Sequence, residues 1–206
     1  MVSFGMNLKK NRTIMIIKID VDGVIRNINK SMVDLYNRNF FDSIKVDDIT
    51  EYDVEKVFPK IKKTLGITAS DYFFKFNSNK IFLLSETYNK VRESIDLLRN
   101  NGHKVIIVTW QPVFRNKINT LYFLESNGIQ YDDICFTKDK WMVQGDWLID
   151  DNPEFITDER DESKKMMIKM PYNKDCNFPC NRANNLQEAV DIILGIEKNL
   201  NVFLIK

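Results

Sequence analysis

Two pairs of carboxylates are placed where they could act together. Asp20 and Asp22 flank Val21 directly after an apolar run at residues 14–19, and Gly23 follows them. In an extended segment residues i and i+2 project to the same side. Both carboxylates can therefore face one pocket, with Gly23 letting the chain turn sharply beneath it. Asp150 and Asp151 close a second apolar run, residues 147–149, just ahead of Asn152 and Pro153. Taken alone, each pair could be an acidic turn, since Asp and Asn before Pro open turns. Taken together, neighbouring carboxylates repel unless a cation or a shared proton offsets them. A hard divalent ion with oxygen ligands, Mg²⁺, is the natural solution. Thr109 ends a third apolar run, residues 105–108, where its hydroxyl and backbone N–H suit a phosphate oxygen. Lys138 and Lys140, between two strands, and Lys117, on the helix after Thr109, could balance that phosphate. Alone, each of these lysines would be an ordinary solvated side chain. Their order along the chain makes them a set.

The composition narrows the chemistry further. The chain has 206 residues, 30 Lys+Arg against 29 Asp+Glu, and a single histidine, His103. One histidine excludes any two-histidine metal site, and any Ser-His or Cys-His mechanism that does not use His103. Carboxylates, lysines and hydroxyls are left to do the work. A net charge of +1 gives no global basic track, which argues against a nucleic-acid polymer as partner. Three cysteines, Cys135, Cys176 and Cys180, lack a second Cys or His pair that would complete a zinc site, and they read as free thiols in a reducing cytoplasm. The run at 14–17 falls far short of the ~20 apolar residues a membrane span needs, so no membrane partner is expected.

Alternating strand and helix patterns must position these groups. Strands are predicted at 14–19, 103–108, 134–136, 147–149 and 166–170. Helices lie between them, one carrying Met32, Val33, Tyr36 and Phe40 on one stripe, another Val91, Ile95 and Leu98 with Ser85 as N-cap. A third carries Ile118, Leu121, Tyr122 and Leu124 and stops at Gly128. A last helix is capped by Asn185, with Glu188 at N3 resembling a capping box. Residues 43–80 read as mainly helical, residues 1–12 as a loose arm, and 202–205 as an edge strand or packing segment. Such alternation implies an α/β fold, a Rossmann-like parallel sheet with helices on both faces. Ligands then bind off the carboxyl ends of the strands, where Asp20, Thr109 and Asp150–Asp151 sit.

These residues carry a resemblance. The chain is similar to the haloacid dehalogenase superfamily of phosphatases, and within it resembles the 5′(3′)-deoxyribonucleotidase family (deoxy-pyrimidine, cytosolic type C). The matching strings are Ile19-Asp20-Val21-Asp22-Gly23-Val24-Ile25, then Val108-Thr109. The most specific is Phe136-Thr137-Lys138-Asp139-Lys140-Trp141 running into Trp147-Leu148-Ile149-Asp150-Asp151-Asn152-Pro153-Glu154. Residues 49–53 and Pro171-Tyr172-Asn173 agree more weakly. The resemblance implies a Mg²⁺-dependent phosphomonoesterase acting on nucleoside monophosphates through an aspartyl-phosphate. Asp20 would be the nucleophile and Asp22 the general acid and base. Asp20, Asp150, Asp151 and the backbone carbonyl of Asp22 would hold the metal. Thr109, Trp110 and Lys140 would bind phosphate, with Lys117 as the alternative lysine.

It also implies a core of residues 1–28 and 85–206, with a small helical cap at 29–84 inserted after the first strand. Among the cap aromatics, Phe40, Phe73 and Phe74 are the candidates to stack on a base, the other reading being cap core. Two positions depart from the family. Trp110-Gln111 stands where a small residue is usual, and Arg26 is bulkier and more basic than the usual residue, placed either to steer phosphate or to face solvent. Other readings keep the fold and change the role, to action on another small phosphate ester, to action on a 3′-phosphate end, or to an inactive binding module. Cytoplasmic residence is expected, and a homodimer is left open.

Overall fold

The computed structural model describes residues 13–195. Six strands form one parallel sheet: β1 (Ile16–Ile19), β2 (Lys104–Thr109), β3 (Asp133–Phe136), β4 (Trp147–Asp150), β5 (Lys164–Ile168) and β6 (Asn181–Ala183), in the order β3-β2-β1-β4-β5-β6. The central strand β1 pairs with β2 on one side and β4 on the other, Ile17 lying opposite both Val105 and Trp147. Ile17, Ile19, Val105, Ile107 and Ile149 are buried completely, as strands covered on both faces require. Successive strands run outward in opposite directions from β1 and β4. That leaves a crevice at their carboxyl ends, the place where such sheets bind ligands.

Helices α5 (Val91–Asn100), α6 (Phe114–Ser126), α7 (Pro153–Ile156) and α8 (Leu186–Ile193) accompany the sheet. Between β1 and α5 lie α1 (Ile28–Phe40), α2 (Val54–Val57), α3 (Pro59–Leu65) and α4 (Ala69–Asp71), followed by two π-helical turns, Tyr72–Phe76 and Asn79–Leu83. Buried side chains fall into two clusters. One is built on the sheet with Ile95, Leu98, Phe123 and Val190, the other within the helical segment around Tyr36, Phe58, Ile61 and Phe73. Several aromatic rings of the second meet edge to face, as with Phe58 and Phe73 at 4.8 Å.

Several local expectations need correction. Ser85 caps no helix: it is buried, donates to the Ile81 carbonyl at 2.5 Å and shares a hydrogen bond with Ser31, while α5 begins after Lys90 in a left-handed conformation. Helix α6 turns Tyr122 outward, leaves Ile118 over a third exposed, and buries Asn116, Asn119 and Thr120 alongside Phe123 and Leu124. The reason is its neighbour. The second π turn docks there, and Asn116, Asn119, Ser78 and Asn79 bond one another across the seam, with Asn116 also donating to the Phe74 carbonyl. Asn185 does cap α8, accepting from the Glu188 N–H at 2.9 Å, but the Glu188 carboxylate returns to the N–H of Asn184, one residue before the cap. Strand β6 carried no sequence signal, having no apolar run. Residues 1–12 and 202–205 lie outside the described residues.

Candidate active site

The end of β1 is tied to the end of β4 by the Asp20 N–H, which donates to the Ile149 carbonyl at 3.0 Å. This brings Asp20 beside Asp150 and Asp151. One carboxylate oxygen from each of the three lies within 4.8 Å of the others, and all three residues are buried. Lys140, on a single 3₁₀ turn (Lys140–Met142), reaches in from the β3–β4 connection. Its Nζ donates to Asp20 Oδ1 at 2.7 Å and to Asp150 Oδ2 at 2.6 Å, and it sits 4.3 Å from the Phe155 ring centre. The other Asp150 oxygen accepts from the Asn152 N–H, opening the turn into α7. Asp151 accepts from the Tyr172 hydroxyl, and Asn173 Nδ2 donates to the Asp151 carbonyl at 2.7 Å. Gly23 has φ +80°, and a Cβ there would run into the Asp151 carboxylate. Only glycine fits both the backbone and the space.

The electrostatics follow from burial. Removal from water, then the charges of Asp150 and Asp22, push the Asp20 carboxyl up to about 7 against the pull of Lys140. Asp151 rises well above the usual carboxylate range, by burial and then by Asp150 and Asp20. Lys140 loses by burial and gains more from Asp150 and Asp20, so it stays an ammonium. Among the described residues three buried carboxyls thus face one lysine, and the upward shift of two of them reflects negative charge that Lys140 alone does not offset. Their donors are all hard oxygens, a set that suits a divalent ion such as Mg²⁺.

Asp22 lies at the rim. Arg26 Nε donates to its Oδ1 at 2.7 Å and Gln111 Nε2 to its Oδ2 at 2.6 Å. Arg26 does not face solvent: it is wholly buried and paired with Asp22. Next to the cluster opens a cavity of about 330 Å³, lined by Asp22, Asp151, Tyr172, Tyr52, Phe74, Trp110 and Gln111 among others. Thr109 is buried at the end of β2, and its carbonyl accepts from the Thr137 N–H. Trp110 is 47% exposed at the cavity wall, with Lys138 Nζ 5.4 Å from its ring. Lys117 instead sits over the Phe136 ring, so Lys140 is the lysine bonded to the carboxylates. Of the three aromatics expected at a base, Phe74 lines the cavity. Phe73 is fully buried in the helical cluster, and Phe40 packs on Tyr36 and Tyr72. Tyr52, Tyr172 and Gln111 carried no role in the sequence reading, although the first two stand in strings that bore the resemblance.

A model of the family described as 5′ nucleotidase, deoxy (Pyrimidine), cytosolic type C protein matches residues 14–199. The chain belongs to that family. It is accordingly an enzyme of the phosphatase class, a hydrolase with a haloacid dehalogenase-like fold. YqfW of Bacillus subtilis, named as an inferred nucleotidase, is 31% identical over 187 residues, covering 84% of this chain and 90% of its own. A 5′(3′)-deoxyribonucleotidase of Clostridium acetobutylicum is 28% identical over 161 residues, 77% of this chain and 84% of that one. In fold, the chain is similar to L-2-haloacid dehalogenase from Xanthobacter autotrophicus, with a TM-score of 0.59 at 9% identity over 89% of this chain and 100% of that one.

Proposed function

We propose that this protein is a Mg²⁺-dependent phosphomonoesterase that hydrolyses nucleoside monophosphates, deoxyribonucleotides foremost, through an aspartyl-phosphate on Asp20. One observation carries the reading: the Asp20–Asp150–Asp151 cluster, clamped by Lys140, opens onto a cavity walled by Tyr52, Phe74 and Trp110. Its size falls within the ~300–1,000 Å³ usual for small-ligand sites. The aromatic wall suits a nucleobase, each stacking contact being worth ~1–3 kcal/mol.

In the first step an Asp20 oxygen bonds to phosphorus as the bond from phosphorus to the sugar oxygen breaks. Asp22 gives that oxygen its proton, so the nucleoside leaves as a neutral alcohol. In the second step Asp22 takes a proton from water, the water oxygen bonds to phosphorus, and the Asp20–phosphorus bond breaks to release inorganic phosphate. Lys140 fixes the orientation of Asp20 throughout, and its charge faces the transferring group. The hydroxyl of Thr109 and the N–H of Trp110 hold phosphate oxygens. When bound by Asp20, Asp150, Asp151 and the Asp22 carbonyl, Mg²⁺ supplies Lewis-acid neutralisation of phosphate charge. The helical segment 29–84 acts as a cap on the core of 1–28 and 85–206, excluding water from the transfer. The enzyme works in the cytoplasm, where Cys135, Cys176 and Cys180 stay reduced.

A panel of mononucleotides, sugar phosphates and 3′-phosphorylated oligonucleotides tests the substrate class. Deoxynucleoside monophosphates should give the highest kcat/KM, and only with Mg²⁺. Preference for sugar phosphates or for oligonucleotide ends would overturn the reading.

A further inference from the structure

Arg26, one of the positions that depart from the family, is built into the site. Its backbone N–H donates to the Val21 carbonyl at 2.8 Å and its carbonyl accepts from Gly23 at 3.1 Å, so the loop folds back and sets Arg26 beside Asp22. The side chain is 0% exposed and spends its planar fork on three different elements. Nε bonds Asp22 Oδ1 at 2.7 Å, Nη1 the Phe82 carbonyl of the second π turn at 2.6 Å, and Nη2 the Thr120 hydroxyl of α6 at 3.1 Å. The rings of Phe82 and Phe123 each lie 4.9 Å from the guanidinium carbon. Among the described residues this buried charge has one anionic partner, Asp22. Arg26 does not line the cavity, so it does not touch a ligand there.

We infer that Arg26 is a positioning residue for the acid/base group: it locks the Asp22 carboxylate against the helical segment and α6, at the wall of the cavity beside the Asp20 cluster. Gln111, from the β2 side, holds the second oxygen. The inference rests on the reading of Asp22 as general acid. Lysine cannot replace the arginine, because a point charge cannot serve three acceptors lying in the fork of a guanidinium.

Leaving-group dependence tests it, because a nucleoside alkoxide needs a proton to leave and nitrophenolate does not. In R26M, kcat/KM for a deoxynucleoside monophosphate should fall about 30-fold or more, within reach of the ~10²–10⁴-fold range of general acid catalysis. For p-nitrophenyl phosphate the loss should stay within about threefold. R26K should fall between R26M and the parent, and T120V, which removes one fork contact, should shift the ratio in the same direction. If R26M does not fold, R26K and T120V decide. D22N must show the same selective loss. If it does not, the reading of Asp22 fails. If D22N is selective while the Arg26 and Thr120 variants, folded by circular dichroism, lose both substrates equally or neither, the role of Arg26 is overturned and that of Asp22 stands.

Discussion

Replacing Lys140 by Met should strongly destabilise the metal-free protein. Lys140→Met keeps most of the stem against Phe155 and deletes only the ammonium. That ammonium makes bonds of 2.7 and 2.6 Å to two buried carboxylates and, among the described residues, is the one cation bonded to the cluster of three. Removing one partner of a buried ion pair costs about 3–5 kcal/mol, because the other charges stay buried without compensation. For a chain of this length each kcal/mol moves Tm by ~2–4 °C, so the loss should be about 6–20 °C. The assay is thermal unfolding by circular dichroism with a chelator at pH 8. The pH dependence has a definite sign. Asp20 is already raised to about 7 and rises further without Lys140, so the native state binds protons that the unfolded chain has released. Stability therefore falls as pH climbs through that window, and the deficit of the variant shrinks below it. Mg²⁺ should raise Tm more in the variant than in the parent. A loss under about 3 °C at pH 8 would refute the argument, being below the ~6 °C lower bound from the burial cost.

Other changes separate architecture from site. Tyr172→Phe deletes the hydroxyl that holds Asp151 and should weaken Mg²⁺ binding about tenfold by calorimetry, the lower end of what lost outer partners of metal ligands cost; unchanged affinity would contradict it. Phe73→Ala should cost about 3–5 kcal/mol in urea unfolding, since its ring is fully buried. Phe74→Ala should instead raise KM for nucleoside monophosphates with kcat kept, and a fall in kcat alone would argue against a base contact. Asp161→Asn should destabilise at pH 7, because Lys18 Nζ, 2.6 Å away and buried, loses its counter-charge. Burial alone would raise the Asp161 carboxyl, but the bonds from Lys18 and Ser163 hold it below the usual range. Its stabilisation is thus present above the ordinary carboxylate pKa and lost as pH falls through the lower folded value, so the gap between variant and parent should close in acid. A gap that does not change with pH would sink this assignment.

What the sequence made legible was what repeats or alternates. Strands β1, β2 and β4 are short apolar runs ended by a polar residue, and the groups that end β1 and β4 form the cluster. Lys140 was distinguishable from Lys117 because it stands in the string leading to Asp150. The rest was hidden for physical reasons. The buried face of α6 is polar, because it docks on side chains and carbonyls of the π turns, so apolar periodicity pointed to Ile118 and Tyr122 instead. Lys18, Arg26 and Asp161 look like surface charges in a string of letters, and only the fold reveals that each is buried against a partner. Phe73 and Phe74 are adjacent and alike, yet a π turn sends one into the core and the other to the cavity. Tyr52 and Tyr172 come from segments 120 residues apart in sequence and meet with ring centres 5.5 Å apart, which no local pattern encodes.

The central claim is that Asp20 takes the phosphoryl group. Enzyme quenched in acid during turnover of a deoxynucleoside monophosphate with Mg²⁺, then reduced with borohydride, would convert an aspartyl-phosphate to homoserine. Peptide mass spectrometry should find homoserine at position 20, absent in chelator and absent in Asp20→Asn. Turnover with no modified residue, or with the modification at another carboxylate, would contradict the account.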